Sequence, residues 1–395
     1  MSGPLDGVRV LDLSTVLMGP YCTQILAEYG ADVVKIEPPG GDGTRHIGPM
    51  RSAGMGAIFL HANRGKRSVV LDLKQPRARA ALLRLAARAD VMVYNQRPQA
   101  MDRLGLGYDA VRAASPAIIY AGLFGFGRGG PYARRPAYDD LIQGAVGVPA
   151  LFQRAGNAEP RYVPITLCDR TVALSAVGAI LAALYHRQRS GEGQAIDVPM
   201  FETMAGLVMG DHLGGRSFVP PLGATGYARL LAHARRPYQT ADGYLCALIY
   251  SDKQWQSFCG LIGCPELFTR DERLRDLGTR SRHIDELYGW VADTMHTRTS
   301  GAWMELLEQA DIPCMPMHTP ESLLEDPHLR AIGFFGEIEH PSEGRIVSMA
   351  IPSRWSATTP DAPRPAPRLG EHTLAVLAEA GISPESGPGA GTGQP

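Results

Sequence analysis

The chain has 395 residues, 45% of them hydrophobic and 20% charged, with 39 Lys+Arg against 40 Asp+Glu. At roughly 100–200 residues per domain this length allows two or three domains, and the apolar content excludes a disordered chain. A formal net charge of -1 argues against nucleic acid or an anionic membrane as the main partner.

Val8 to Leu13 (VRVLDL) reads as a strand. Met18-Gly19-Pro20 breaks it, and Pro20 suits the first turn of a helix that Gly30 stops. Ala31 to Glu37 (ADVVKIE) and Ser68 to Leu73 (SVVLDL) read as strands, and Pro76 opens a helix that runs toward Asp90. Val91 to Tyr94 and Ala117 to Leu123 are further strands. Strands separated by helices of about 10–15 residues predict a parallel, Rossmann-like sheet. The first strand is not followed by G-x-G-x-x-G, so an NAD-linked oxidoreductase is a weak reading.

Arg170 to Gln188 is a long Ala-rich apolar helix, bracketed by Arg170, His186 and Arg187. It reads as buried in the core or in a subunit interface rather than in a membrane. Ala195 to Val198 is a strand, Gly214 to Gly226 a linker, and Tyr238 to Tyr250 a hairpin around Asp242-Gly243. Helical patterns follow to about residue 310, and Glu371 to Ala380 is a short helix. The expected organisation is a large domain over 1–210, a linker over 211–227 and a small α+β domain over 228–318. A return segment over 319–385 completes the large domain, and 386–395 is a disordered tail. The opening MSGPLDGVRVLDLS has neither a basic n-region nor an apolar h-region, so no secretory signal is predicted and the expected location is cytoplasmic.

Six cysteines occur without a C-x-x-C pair, and no His pair has zinc-ligand spacing, so no metal site is expected. Asp169 precedes the long apolar helix. Its ordinary reading is a helix N-cap. A carboxylate held ionised by nearby backbone N–H groups also suits an acyl-accepting nucleophile. The turn Thr15 to Pro20, at the carboxyl end of the first strand, is a natural phosphate-ligand site or an ordinary βα turn. Basic residues gather near strand ends: Arg45, then Arg64, Lys66 and Arg67, then Lys74, Arg97 and Arg103. One such charge is ordinarily a solvated surface group; several on one rim favour a polyanion site. Tyr138-Asp139-Asp140 opens another helix, where a cap is the ordinary reading. Arg235 and Arg236 read as surface arginines, with a second carboxylate as the alternative ligand.

An ordered series of segments then resembles a known family. PLDGVRVLDLSTVLMGP, GADVVKIEPPGGDGTR, NRGKRSVVLDLK, ADVMVYNQRPQAMDRLG, GPYARRPAYDDLIQG and ALSAVGAILAALYHRQRSGEGQAIDVPMFE are similar to the class III CoA-transferases. That family includes formyl-CoA transferase, the carnitine CoA-transferases and α-methylacyl-CoA racemase. The likeness continues through IPCMPMHTPESLLEDPHLRAIGFF and LGEHTLAVLAEAG, close to the end of the chain.

The resemblance implies an α/β fold: a Rossmann-like large domain, a smaller α+β domain and an interlocked homodimer. It implies an enzyme that moves CoA from an acyl-CoA to a small carboxylic acid, with the CoA thioester as substrate and no separate cofactor. Asp169 matches the family's nucleophile. CoA contacts are implied at Leu17, Met18, Leu71, Asp72, Leu73, Lys74, Asn95, Gln96, Arg97, Arg103, Arg135 and Tyr138. Arg45 is the expected substitute for a basic position that is Pro38 here. Where the family's racemases carry His-Asp this chain has Tyr138-Asp139, which removes one suitable base and ranks transferase above racemase. A CoA-binding protein without turnover is the remaining alternative. The Gly-rich lid of formyl-CoA transferases has no counterpart here, so oxalate or formyl-CoA is not the expected substrate.

Overall fold

The computed structural model describes residues 3–362 and 364–382, so the expected tail 386–395 lies outside the described residues. The chain divides into two compact units. The first takes residues up to Val146, then Val163–Gly206, then the described residues from His328 onward; the second takes Gly147–Tyr162 and Leu207–Pro327. The segment 147–162, expected in the large domain, thus groups with the second unit.

The first unit is built on six parallel strands: β1 (Arg9–Asp12), β2 (Asp32–Glu37), β3 (Lys66–Val70), β4 (Val91–Tyr94), β5 (Ile119–Phe124) and β6 (Ala195–Pro199). Their order is β3-β2-β1-β4-β5-β6, a doubly wound arrangement that reverses direction between β1 and β4. Every residue of β4 and β5 is buried, which is why these strands read as continuous apolar runs. Alternate residues feed two separate cores. Val10, Val33, Val91, Val93, Ile119 and Ala121 pack with helices α1 (Met18–Glu28) and Leu167–Ser190. Leu11, Val34, Val69, Met92 and Tyr120 pack on the other face with the helix α2 (Pro76–Ala86).

Two boundaries differ from the sequence pattern, and both bear on the site. β3 starts at Lys66 and ends at Val70 rather than running from Ser68 to Leu73. Lys66 and Arg67 pair in register with Val33 and Val34, and their charges are neutralised by Asp12 and Asp32, which a hydrophobic pattern cannot show. After helix α3 (Asp139–Ala145), the long apolar helix α4 begins at Leu167. Asp169 therefore lies inside its first turn. The cap reading is corrected: Thr166 holds the N-cap position, and no side chain caps it. The buried stripe of α4 is Cys168, Val172, Ala173, Ala176, Val177, Ile180 and Ala183, while Leu174 and Tyr185 stand exposed on other faces.

The second unit carries a three-stranded antiparallel sheet of β7 (Tyr238–Gln239), β8 (Tyr244–Ala247) and β9 (Cys314–Pro316). β7 and β8 form the hairpin around Asp242-Gly243. Helices α5 (Asp252–Leu261), α6 (Ile284–Met295) and α7 (Ser300–Gln309) enclose Trp255, Phe258, Leu287, Val291, Trp303 and Leu307. Ser251 and Gln254 form a reciprocal capping box at the start of α5, satisfying two otherwise orphaned N–H groups.

The last part of the chain completes the first unit. An antiparallel hairpin of β10 (Phe335–His340) and β11 (Gly344–Met349), not foreseen from the sequence, precedes helix α8 (Thr373–Glu379). Val376 and Leu377 of α8 enter the core shared with α2. The free edge of β3 is covered here. Gly65 N donates to Arg364 O at 2.7 Å, Gly370 N to Ser68 Oγ at 2.9 Å and Val70 N to Thr373 Oγ1 at 3.1 Å. A parallel sheet thereby avoids an exposed row of unpaired edge groups.

Candidate active site

The topological switch between β1 and β4 is where doubly wound sheets open a crevice for ligands. Here two loops meet across it. Thr15 N donates to Asn95 Oδ1 at 3.0 Å, and Asn95 Nδ2 returns a bond to Thr15 O at 2.7 Å. Gln96 Nε2 donates to Leu13 O at 2.7 Å. Its buried Oε1 has no hydrogen-bond partner among the described residues. Val16 adopts a left-handed φ of 69°, which for a β-branched residue costs about 1–3 kcal/mol and must be held by its surroundings.

The holding structure is a buried charge network. Asp12 accepts from Ser14 N at 2.9 Å, Thr23 Oγ1 at 2.6 Å and Lys66 Nζ at 2.9 Å, and also from Ser14 Oγ. Lys35 Nζ donates to Ser14 O and to Asp42 Oδ2, both at 2.9 Å. Asp42 Oδ1 in turn accepts from Val16 N at 3.2 Å. Burial alone would raise Asp12, but Lys66, Lys35 and the two hydroxyls outweigh it and hold the carboxyl well below its usual range. Burial pulls Lys66 down to about 8, although Asp12 opposes this. Gly19 is also required, since a Cβ there would overlap Ser14; α1 can approach the end of β1 only without a side chain at that point.

Several cations expected on a rim therefore have other work. Lys66 and Arg67 neutralise Asp12 and Asp32, and Arg64 pairs with Glu28; Lys35, which was not among those expected there, neutralises Asp42. The reading of Arg45 as an anion ligand is also corrected. Its guanidinium is buried, donates to Glu37 at 2.7 and 2.8 Å and to Pro367 O, and lies 3.7 Å from the centroid of the Phe59 ring.

Around the switch point lies a cleft of about 410 Å³. It gathers Met18, Asn95, Gln96, Arg97, Arg135 and Tyr138 with Asp169. Leu17, Leu71, Asp72, Leu73, Lys74 and Arg103 do not line it. Leu17 and Leu71 are buried, whereas Lys74 and Arg103 are exposed. The cleft also includes Thr15 and Val16 from the turn singled out in the sequence, and Phe124 and Gly125, which the sequence did not flag. A Cβ at Gly125 would overlap Ala137, so glycine lets this turn approach the segment that carries Tyr138.

Asp169 is controlled by a second residue the sequence left as an ordinary cap. Asp139 Oδ2 accepts the Asp169 N–H at 2.9 Å, and Gln143 Nε2 donates to Asp139 Oδ1 at 2.6 Å. Val163 N anchors Gln143 Oε1 at 2.9 Å. The expectation that backbone N–H groups hold Asp169 ionised is corrected. Its own N–H is taken by Asp139, and burial followed by the Asp139 charge pushes its carboxyl up to about 7, against a smaller opposing effect of Arg170. A sequence signal existed: two aspartates at the first turns of separate helices. What it lacked was the 30-residue link that brings them together.

This geometry is a small-molecule cleft with one carboxylate near neutrality and exposed arginines at its rim. The sequence pattern described as CoA-transferase family III matches residues 5–373. A succinate–glutarate CoA-transferase of Agrobacterium fabrum is 34% identical over 387 residues, covering 95% of each chain. A succinyl-CoA:mesaconate CoA-transferase of Haloarcula hispanica is 34% identical over 393 residues, covering 96% of this chain and 97% of its own. The crystal structure of a CAIB/BAIF family protein from Brucella suis superimposes with a TM-score of 0.80 at 31% identity, covering 96% of this chain and 100% of that one. The chain belongs to CoA-transferase family III and is an enzyme of that class.

Proposed function

We propose that the chain moves CoA from an acyl-CoA thioester to a free carboxylic acid by covalent catalysis at Asp169. The observation that carries this reading is a carboxyl near neutrality lining the switch-point cleft. An Asp169 carboxylate oxygen attacks the thioester carbonyl carbon, the C–S bond breaks, and CoA thiolate leaves from a mixed anhydride. The thiolate then attacks the aspartyl carbonyl and releases the donor acid, leaving an aspartyl–CoA thioester. The acceptor carboxylate attacks that thioester in turn and expels the thiolate, which takes the acceptor acyl group and frees Asp169. A thiol pKa of about 8.5 makes the thiolate a fair leaving group. A carboxyl raised toward neutrality is more basic than an ordinary aspartate, which favours nucleophilic attack once it is ionised.

In this reading Met18 and Tyr138 border the thioester end of the substrate, and Arg97 and Arg135 meet its phosphates. The unpartnered Oε1 of Gln96 accepts from an amide N–H of the pantetheine arm. Lys74 and Arg103, outside the cleft but exposed, are free for the nucleotide end, and Leu17 and Leu71 to Leu73 shape the sheet edge beneath it. A homodimer, interlocked in the manner the resemblance implies, would cover the apolar residues of α4 left exposed here, and a cytoplasmic location belongs to the same proposal. Light scattering on a sizing column tests the dimer: a monomer would remove it. The two transferases above are named for succinate, glutarate and mesaconate, so succinyl-CoA is the first donor to try. Incubation with donor and borohydride or hydroxylamine, followed by peptide mass spectrometry, should modify Asp169. A protein that turns over donor and acceptor without any trapped species there would end the covalent reading. Racemisation would instead show as deuterium wash-in at Cα with no acceptor present.

A further inference from the structure

The second unit holds a cleft of about 320 Å³ that the transfer chemistry above does not use. Its lining includes Arg229, Arg235, Arg236, Tyr238 and Tyr288, with Cys246, Ala247 and Leu248 as a largely apolar wall. The two consecutive arginines sit on a turn fixed from both sides. Ala234 N donates to Asp285 Oδ1 at 2.8 Å, and Pro237 leads directly into β7. Arg229 is oriented by its Nε, which donates to the buried Tyr288 hydroxyl at 3.0 Å. None of the three has an acidic side chain within ion-pair distance among the described residues. Elsewhere in this unit Arg273, Arg275 and Arg280 are each paired with an aspartate. Guanidiniums gathered at one cleft with no acidic side chain between them make a site suited to an anion. Their planar forks match carboxylate oxygens, and the apolar wall beside them suits methylene groups rather than a bare inorganic anion.

We propose that this cleft binds a small aliphatic dicarboxylate, one end of it held by Arg235 and Arg236 and the chain of methylenes lying along Ala247 and Leu248. As a binding site the proposal stands on the second unit alone. The test uses full-length Asp169→Asn protein, which cannot turn substrate over, titrated calorimetrically with succinate, glutarate, butyrate and inorganic phosphate. The dicarboxylates should bind at least tenfold more tightly than butyrate or phosphate. Adding Arg235→Gln or Arg236→Gln, both at exposed positions that leave the Tyr288 contact intact, should weaken dicarboxylate binding tenfold or more. Equal binding of butyrate or phosphate overturns the ligand class, and unchanged affinity in both arginine variants overturns the site. Trapping at Asp169 in the wild-type protein is a separate readout, so failure of the transferase reading and failure of this cleft are told apart.

Discussion

Asp12 and Asp169 lie in the same unit, both withdrawn from water, and burial acts on both in the same direction. Their neighbours differ in sign. Asp12 faces Lys66 and Lys35 and is held well below the usual carboxylate range. Asp169 faces Asp139, with Arg170 too weak an influence to compensate, and is pushed up to about 7. The charge beside a buried carboxyl decides whether its pKa falls or rises. The first of these fixes the loop that carries Val16; the second lines the cleft that this loop helps to shape.

The comparison breaks most visibly if the two aspartates are exchanged in role. Asp169→Ala should lower CoA transfer by about 10³-fold or more, measured as acyl-CoA exchange by chromatography, with the fold intact. Lys66→Met should act on the other site: it leaves Asp12 buried without its closest cation and costs about 3–5 kcal/mol in urea denaturation. Unchanged stability in that variant would mean that Lys35 alone suffices. Gly125→Ala forces Ala137 away and moves the Tyr138 segment; kcat/KM should fall about 10–100-fold, with circular dichroism unchanged.

The smallest effect is the most specific. The nucleophile proposed at Asp169 must be ionised, so kcat/KM should fall as pH drops through about 7. Asp139→Asn keeps an acceptor for the Asp169 N–H but removes the repelling charge, so this acid limb should move to lower pH. A limb that stays in place would assign the shift to burial alone.

The parallel sheet was legible because strands buried on both faces leave unbroken apolar runs, as in β4 and β5. Asp169, Asn95 and Arg97 were legible as polar residues in the segments between sheet and helices, Arg135 and Tyr138 only through the family resemblance, and all five line one cleft. The roles of Lys35, Lys66 and Arg45 were not. A sequence shows a charge but not its partner: Asp12 and Lys66 lie 54 positions apart. The same limit hid Asp139, whose effect on Asp169 depends on two helix starts packing together. Phe124 and Gly125 carried no signal, since only the strand order turns that end of β5 toward the cleft.

The strip laid along β3 by residues 364–373 sets an order on biosynthesis. Arg67 finds Glu379 only 312 positions later in the chain. At about 5–20 residues per second, translation of that interval takes roughly 15–60 s. Throughout it the nascent sheet carries an open rim beside a strand whose arginine lacks one of its two acidic partners. A frameshift or stop before codon 364 would leave the gap permanent.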